Sequence, residues 1–427
     1  MTTIDLIENP VERAYFAGLL KKRREEREFL AIHTSEKPTG LYPTAIAPQD
    51  LLKSYPISTY EEIKAKYSTS DKVNATLWLK KMHGGIGSSV ERVEYLKKYQ
   101  RSKLGSKGTD LYIETSKGPI SIAEAQIIQA SKKTTSFEKV ILQDILNQEV
   151  TEIFDEIWSK HDGLLNDSFL RFSPLIQTNV PTLDEDNNIT TERVAPAGHG
   201  LFGFEVLYSI FHQEYRPREK NLICCIGNGE DLSSTPDRAV VNWMLTEKIP
   251  VCMVTTTKTS HDVKGGQIAL YDRGELGQYL TIIEKAQADE CEQSQLFKDL
   301  GLRPTDSAAF FNTNLVLLNI DVLEELFSKC ESEEELLNAI IPDLILNKKT
   351  QDGKNFFQLE GAMGSVFLNL DKYFRKKFNI PVVNIMNVST KNRRRFFSPI
   401  KTMDDFMEQY FGEESKFNEE NFHLENI

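Results

Sequence analysis

The feature that most restricts this chain is a series of short apolar runs separated by helix-like segments. NLICCI (221–226), IPVCMVTT (249–256), FFNTNLVLLNI (310–320) and PVVNIMNV (381–388) each have the length of a single strand. Apolar runs of this length without polar alternation suit a sheet covered on both faces, so the pattern predicts an α/β layer structure. NATLWLKKM (74–82) reads as the first strand of that core, DLYIE (110–114) as a short extended segment, and RFSPLIQTN (171–179) as a strand running into a loop. LFGFEVLYSIF (201–211), TPDRAVVNWML (235–245), 321–344 and 359–374 read as helices, and 121–154 as one long helical region. QIALYDR and QYLTIIEKA alternate and predict a hairpin or small sheet.

The first 74 residues read as an accessory helical layer. Pro10 stands near the start of a helix over 10–30, and Ser58, with Glu61 three residues on, is a candidate cap for another at 58–68. The core unit is expected over 75–390. A short C-terminal segment over 391–427 follows, polar and acidic from Gly412.

Net charge is −12, which argues against a general nucleic-acid binder; any phosphate site must rest on local cations. No apolar stretch approaches the ~18 residues of a membrane span. The five cysteines, Cys224, Cys225, Cys252, Cys291 and Cys330, form no CxxC pair and read as free thiols, three of them in apolar runs. That usage points to a reducing compartment, and the cytoplasm is expected.

The loop after the first strand carries Lys81-Met82-His83-Gly84-Gly85-Ile86-Gly87. Three glycines in four residues allow the backbone to turn and present amides to an anion, or simply to turn. Neither the P-loop nor the dinucleotide pattern is met, because no lysine follows the last glycine and Val90 stands where a third glycine belongs. Lysines recur beside small-residue turns: Lys107 in GSKG, Lys264 in DVKGG and Lys401 after Pro399. Each alone is a solvated surface group or a phosphate ligand; together they favour phosphate binding. Glu230, Asp231 and Asp237 follow the 221–226 strand, where a carboxylate either caps the next helix or holds Mg2+ shared with substrate phosphates.

In order and rough spacing, these segments resemble the eukaryotic-type UTP–glucose-1-phosphate uridylyltransferase family, also called UDP-glucose pyrophosphorylase, over about 75–405. Lys81 to Gly87 resembles its K-L-N-G-G-L-G loop, and Lys107 the lysine that ends that signature. Gln177 looks like the uracil-reading glutamine, and Ala197-Gly198-His199-Gly200 is similar to P-G-H-G. Asn228–Asp237 resembles S-N-x-D-N-L-G-A-x-x-D. Lys258 with Asp262–Gly266 resembles K-x-x-x-D-V-K-G-G, and Glu284 falls at the glutamate of L-x-E. Phe311-Asn312-Thr313-Asn314 matches F-N-T-N, Gln358-Leu359-Glu360 resembles Q-L-E-x-A-x-G, and Arg395 to Thr402 resembles R-F-x-P-V-K-T.

The resemblance implies a Rossmann-like, GT-A-like mixed sheet flanked by helices. It also implies transfer of a uridylyl group from UTP to glucose 1-phosphate, with Mg2+. Lys107, Lys264 and Lys401 would then stabilise phosphates. Met82, His83, Gly84, Gly85, Gly87, Gln177, Gly198 and His199 would bind nucleotide. Glu230, Asp231, Lys258, Glu284, Asn312, Thr313, Asn314, Glu360 and Arg395 would bind substrate, with Glu230 and Asp231 near the metal.

Four departures stand out. His83 replaces an asparagine, Glu230-Asp231 replaces Asp-Asn, and extra residues at 91–104 precede Lys107. Little chain follows Lys401 to form the family's C-terminal β-helix, so a monomer is expected. Rival readings are a uridylyltransferase for another sugar 1-phosphate, such as an N-acetylhexosamine 1-phosphate, and a weakened UTP- or UDP-sugar-binding protein.

Overall fold

The computed structural model describes residues 7–25, 39–40, 55–84, 90–99, 104–186, 188–259, 262, 265–272, 278–290, 292–295, 310–351 and 353–411. Its centre is one mixed sheet. From one edge the strands run Ile57–Thr59, Val383–Val388, Val251–Thr257, Phe310–Asn319, Leu222–Asn228, Val73–Met82, Phe137–Asn147 and Phe169–Arg171. The Phe310–Asn319 strand is antiparallel to both neighbours, and the other pairs along this path are parallel. The carboxyl ends of the parallel strands therefore meet the amino end of Phe310–Asn319 along one edge. Ligand crevices of open α/β sheets form along that edge.

Alternation along the Val73–Met82 strand builds both faces of the core. Trp78 joins Cys224, Ile226, Met253 and Val316 on one side. Leu77 and Leu79 join Cys225, Val254 and Leu317 on the other. The same alternation sends Lys80 and Lys81 into opposite layers. Lys80 meets Glu205 of the Gly200–Phe211 helix, both carboxylate and ammonium fully buried, and lies over the Trp78 ring at 4.6 Å. A second sheet, ordered Ile189–Pro196, Asn179–Leu183, Lys354–Gly361 and Leu344–Gln351, stands beside the first.

Several sequence expectations need correction. The region 121–154 is not one helix. A helix over Ile122–Lys132 ends in a 3-10 turn at Lys133–Thr135, and Phe137–Asn147 then forms a central strand. That strand is buried on both faces, so it lacks the alternation that would have separated it from a helix. Leu359-Glu360-Gly361 ends a strand, and the helix begins at Met363. The 321–344 stretch is two helices, Ile320–Phe327 and Glu333–Ala339, followed by a strand from Leu344.

The described part of the first 74 residues does not form a separate layer. Ile57–Thr59 forms the sheet edge against Val383–Val388, and the Pro10–Glu25 helix buries Val11, Tyr15, Phe16 and Leu19 in the main core. Thr59 rather than Ser58 caps the Tyr60–Tyr67 helix, in a reciprocal box with Glu62. Asp237 caps the Arg238–Thr246 helix by accepting from the Val240 amide at 3.0 Å. Cys224, Cys225 and Cys252 are free and buried as expected, Cys330 is free and half-buried, and Cys291 lies outside the described residues.

Candidate active site

The sheet edge brings together loops from distant parts of the chain. At the end of the Val73–Met82 strand, Asn147 donates to the Gly84 carbonyl at 3.0 Å. A Cβ on Gly84 would stand 2.9 Å from Gln177 Oε1, so a side chain there would collide with the glutamine. Gln177 in turn lies beside Gly198, its amide 3.5 Å from that carbonyl. Gly198 has φ +83°, and a Cβ on it would overlap Glu360. His199 accepts from the Met363 amide at 3.0 Å, and burial pushes its pKa down to about 4, so it stays neutral. Gly84, Gln177, Gly198, His199 and Glu360 thus form one floor, with glycines where the backbone passes close to the larger side chains. Gly85, Gly87 and Lys264 lie outside the described residues.

A contributor without a local sequence signal stands behind this floor. Glu12 of the N-terminal helix is fully buried. It accepts from the Thr178 amide at 2.9 Å and, through its other oxygen, from the Thr178 hydroxyl. It fixes the residue after Gln177.

The cationic side is built on Lys107. Ser106 caps a short turn at Lys107–Asp110. Arg92, from the extra segment before Lys107, donates to Asp110 at 2.8 Å and to the Gly105 carbonyl at 2.8 Å; all three are buried. The Gly105 amide closes the ring onto Asp110 at 2.8 Å. Arg92 therefore braces the lysine turn. Lys107 Nζ reaches the Glu230 carboxylate and the Ile400 carbonyl, the latter at 2.7 Å. Lys401, the next residue, donates to Asp262 at 3.1 Å and lies 5.6 Å above the Phe311 ring. Arg393 holds both Asp262 oxygens, at 2.9 and 2.7 Å. Burial pushes the Asp262 carboxyl up, but Arg393 and Lys401 outweigh it and hold it below the usual range. Thr259, Asp262, Arg393 and Lys401 face a cavity of 280 Å³.

Not every predicted residue faces this cleft. Asp231 is fully buried and accepts from the Ser233 and Ser398 amides at 2.8 and 2.9 Å. Burial pushes its pKa up to about 6. With both oxygens occupied by backbone, it braces the loop. Arg395 donates to the Thr235 carbonyl at 3.1 Å, and Thr313 to the Val254 carbonyl at 2.7 Å. Among the described residues no three His, Cys, Asp or Glu side chains come together as a metal cage. Glu230 is the carboxylate of the pair whose setting fits Mg2+ shared with substrate phosphates; Asp231 does not fit.

A polar patch adjoins this floor through Glu360. A register shift in the Phe310–Asn319 strand and a left-handed Asn314, φ 59°, bring the Asn312 and Asn314 side chains within 2.8 Å. Gly364 leaves room first for Ile282, whose side chain a Cβ would meet at 2.3 Å, and also borders the Asn312 amide at 3.2 Å. Glu284 lies against Gly266. Burial, and then repulsion from Glu360, push its pKa up to about 7, while buried Lys258 opposes the rise. Burial pushes Glu360 up to about 7 as well.

A folded-state pKa above the unfolded value means the folded chain binds more protons between about pH 4.5 and 7. Stability from this group is then lost as pH rises through that window. Glu360→Gln should therefore raise stability by ~1–3 kcal/mol at pH 8 and leave it unchanged near pH 4.5, as read by denaturant melts at both values. A gain of the same size at both values would contradict this assignment.

The family model for UTP–glucose-1-phosphate uridylyltransferase matches residues 169–421. The chain belongs to the UTP–glucose-1-phosphate uridylyltransferase family. A relative of that name from Encephalitozoon cuniculi is 26% identical over 352 residues, covering 82% of this chain and 61% of the relative. One from Saccharomyces cerevisiae is 25% identical over 299 residues, covering 68% and 53%. The chain thus spans between about half and three-fifths of the length of these curated relatives.

The fold matches the UDP-glucose pyrophosphorylase of Leishmania major, solved with UDP-glucose. The TM-score is 0.63 and identity 20%, over 93% of this chain and 75% of that one. It also matches the UDP-glucose phosphorylase of Trypanosoma brucei at TM-score 0.62 and 19% identity, over 92% and 74%. The Rossmann-like mixed sheet expected of a family member is the one observed.

Proposed function

We propose that this family member transfers a uridylyl group from UTP to glucose 1-phosphate, releasing pyrophosphate. A phosphate oxygen of the sugar phosphate forms the bond to the α-phosphorus of UTP, and the bond from that phosphorus to the pyrophosphate oxygen breaks. The nucleophile is already an anion, so no basic side chain is required. The protein's work is alignment and neutralisation of crowded charge. Lys107 and Lys401 supply cations at the phosphates, with Lys264 as a third. Gly84 and Gln177, already in contact, meet the uracil side by side, and Gly198 and His199 close the backbone around the nucleotide. Asn312, Asn314, Glu284 and Glu360 meet sugar hydroxyls, with Lys258 balancing the carboxylates. Mg2+, held by Glu230 and the substrate phosphates, would lower the charge on the triphosphate.

The strongest support is the connection through Lys107, which is bonded at once to Glu230 and to the carbonyl beside Lys401. Lys401 is bonded in turn to Asp262, two residues before Lys264. Four separate motif segments, those of Lys107, Glu230, Lys401 and Asp262, are therefore joined at one end of the sheet. The free buried cysteines fit a reducing cytoplasm.

The test is product formation from UTP with a panel of plain and N-acetylated sugar 1-phosphates. UDP-glucose and pyrophosphate in equal amounts are expected from glucose 1-phosphate. UTP binding without product would refute the reading, and product from another sugar alone would reassign the substrate. Gln177→Ala should cut the preference for UTP over CTP by about tenfold or more, the loss expected when a buried polar reader is removed. Unchanged preference would remove Gln177 from uracil reading.

A further inference from the structure

The stretch from Gly229 to Pro236 contains no helix or strand, yet its carbonyls are held from behind. One stripe of the Ile122–Lys132 helix and its 3-10 continuation supplies Gln126, Gln129 and Lys133, spaced to share a face. Gln126 donates to the Gly229 carbonyl at 2.8 Å, Gln129 to Leu232 at 2.9 Å and Lys133 to Pro236 at 3.1 Å. Lys81 adds a bond to the Ser234 carbonyl at 2.8 Å.

Gln126 differs from the others because its carboxamide is used in two directions. Its oxygen lies 2.9 Å from His83 Nε2 while its nitrogen serves Gly229. The His83 ring is wedged between two glycines, and a Cβ on Gly108 or Gly229 would stand 2.5 Å from Nδ1. Burial pushes the His83 pKa down to about 3, so the ring is neutral. It then donates from Nε2 to the Gln126 oxygen. Gln126 is 2% exposed and His83 also 2%, so neither bond has water as a ready substitute. One amide thus joins the residue before Gly84, through the ring, to the turn of Lys107 and to the residue before Glu230.

We propose that Gln126 is a positioning residue that couples the uracil end of the cleft to its phosphate end, by fixing Gly229, and with it Glu230, against His83 and Lys107. The proposal rests on the uridylyl-transfer reading above. A side chain in this place must accept from the imidazole and donate to a carbonyl. Leucine does neither, and an ionised glutamate only accepts.

The test compares Gln126→Leu and the near-isosteric Gln126→Glu with the native chain, by steady-state kinetics with UTP and glucose 1-phosphate and by amide hydrogen exchange. Both variants should lose about tenfold to 10²-fold in kcat, with KM for UTP within about threefold, the signature of misplacement rather than lost affinity. Exchange should quicken at His83, Gly84 and Gly229–Asp231 and stay native in the Leu222–Asn228 strand. A kcat within threefold of native, a UTP KM rising in step with the loss, or unchanged exchange at both loops would overturn it. Should the native chain form no UDP-glucose, the functional reading fails on that result alone. Exchange then decides the coupling: quickening at both loops sustains it, and native exchange at either overturns it.

Discussion

Lys107→Met lowers turnover of UTP and glucose 1-phosphate by ~10²-fold or more, the size of effect seen when one charge-stabilising group is removed from a reacting centre. The expectation follows from what Lys107 holds. Its ammonium spans the Glu230 carboxylate and the Ile400 carbonyl, tying the loop after Leu222–Asn228 to the segment that carries Lys401. Its loss removes a cation and loosens the position of a second. The pair is half-buried, with side-chain exposures of 17% and 15%, so folding stability should fall by only about 1–2 kcal/mol. Turnover and melting point, measured on the same preparations, separate the two effects. Near-native turnover would remove Lys107 from the reacting centre.

The largest stability effect is expected far from the phosphates. Lys80 and Glu205 pair across the main core with side-chain exposures of 0% and 2%. Charges so deeply buried have lost their hydration and depend on each other. Glu205→Leu leaves an ammonium buried under the sheet, with the Trp78 face beside it. It should cost ~3–5 kcal/mol in a urea melt. Adding Lys80→Met removes the stranded charge and should recover most of that loss, because the pair's attraction mainly offsets its own desolvation. A single variant within 1 kcal/mol of native, or a double variant no better than the single, would contradict this account.

Much of the scaffold was legible before any coordinates. The strands at 222–228, 251–257, 310–319 and 383–388 announce themselves because fully covered strands are written as unbroken apolar runs. Phe137–Asn147 is just as covered, but its Glu, Lys, Gln and Leu residues also suit a helix, and nothing in its period separates the two. The hairpin joining Leu344–Gln351 to Lys354–Gly361 did have a signal: the Asp-Gly step at 352–353, where Gly353 takes φ +72°.

At the site, small-residue turns mark the places of Lys107 and Lys401, whereas Gln177 and Glu360, which lie in strands, are pointed to only by the family resemblance. Orientation was not legible. Asp231 and Arg395 turn inward to backbone groups, and that direction is set by packing between segments more than 150 residues apart. Glu12 is linked to Thr178 across 166 residues, a pairing for which the local sequence offers no cue.

The central claim is that cations from separate segments surround one triphosphate at the sheet edge. A crystal structure of the chain with UTP tests it most directly. The account predicts uracil beside Gly84 and Gln177, with the phosphates between Lys107 and Lys401 in a single cleft. UTP bound elsewhere, with these two lysines turned toward different surfaces, would contradict it.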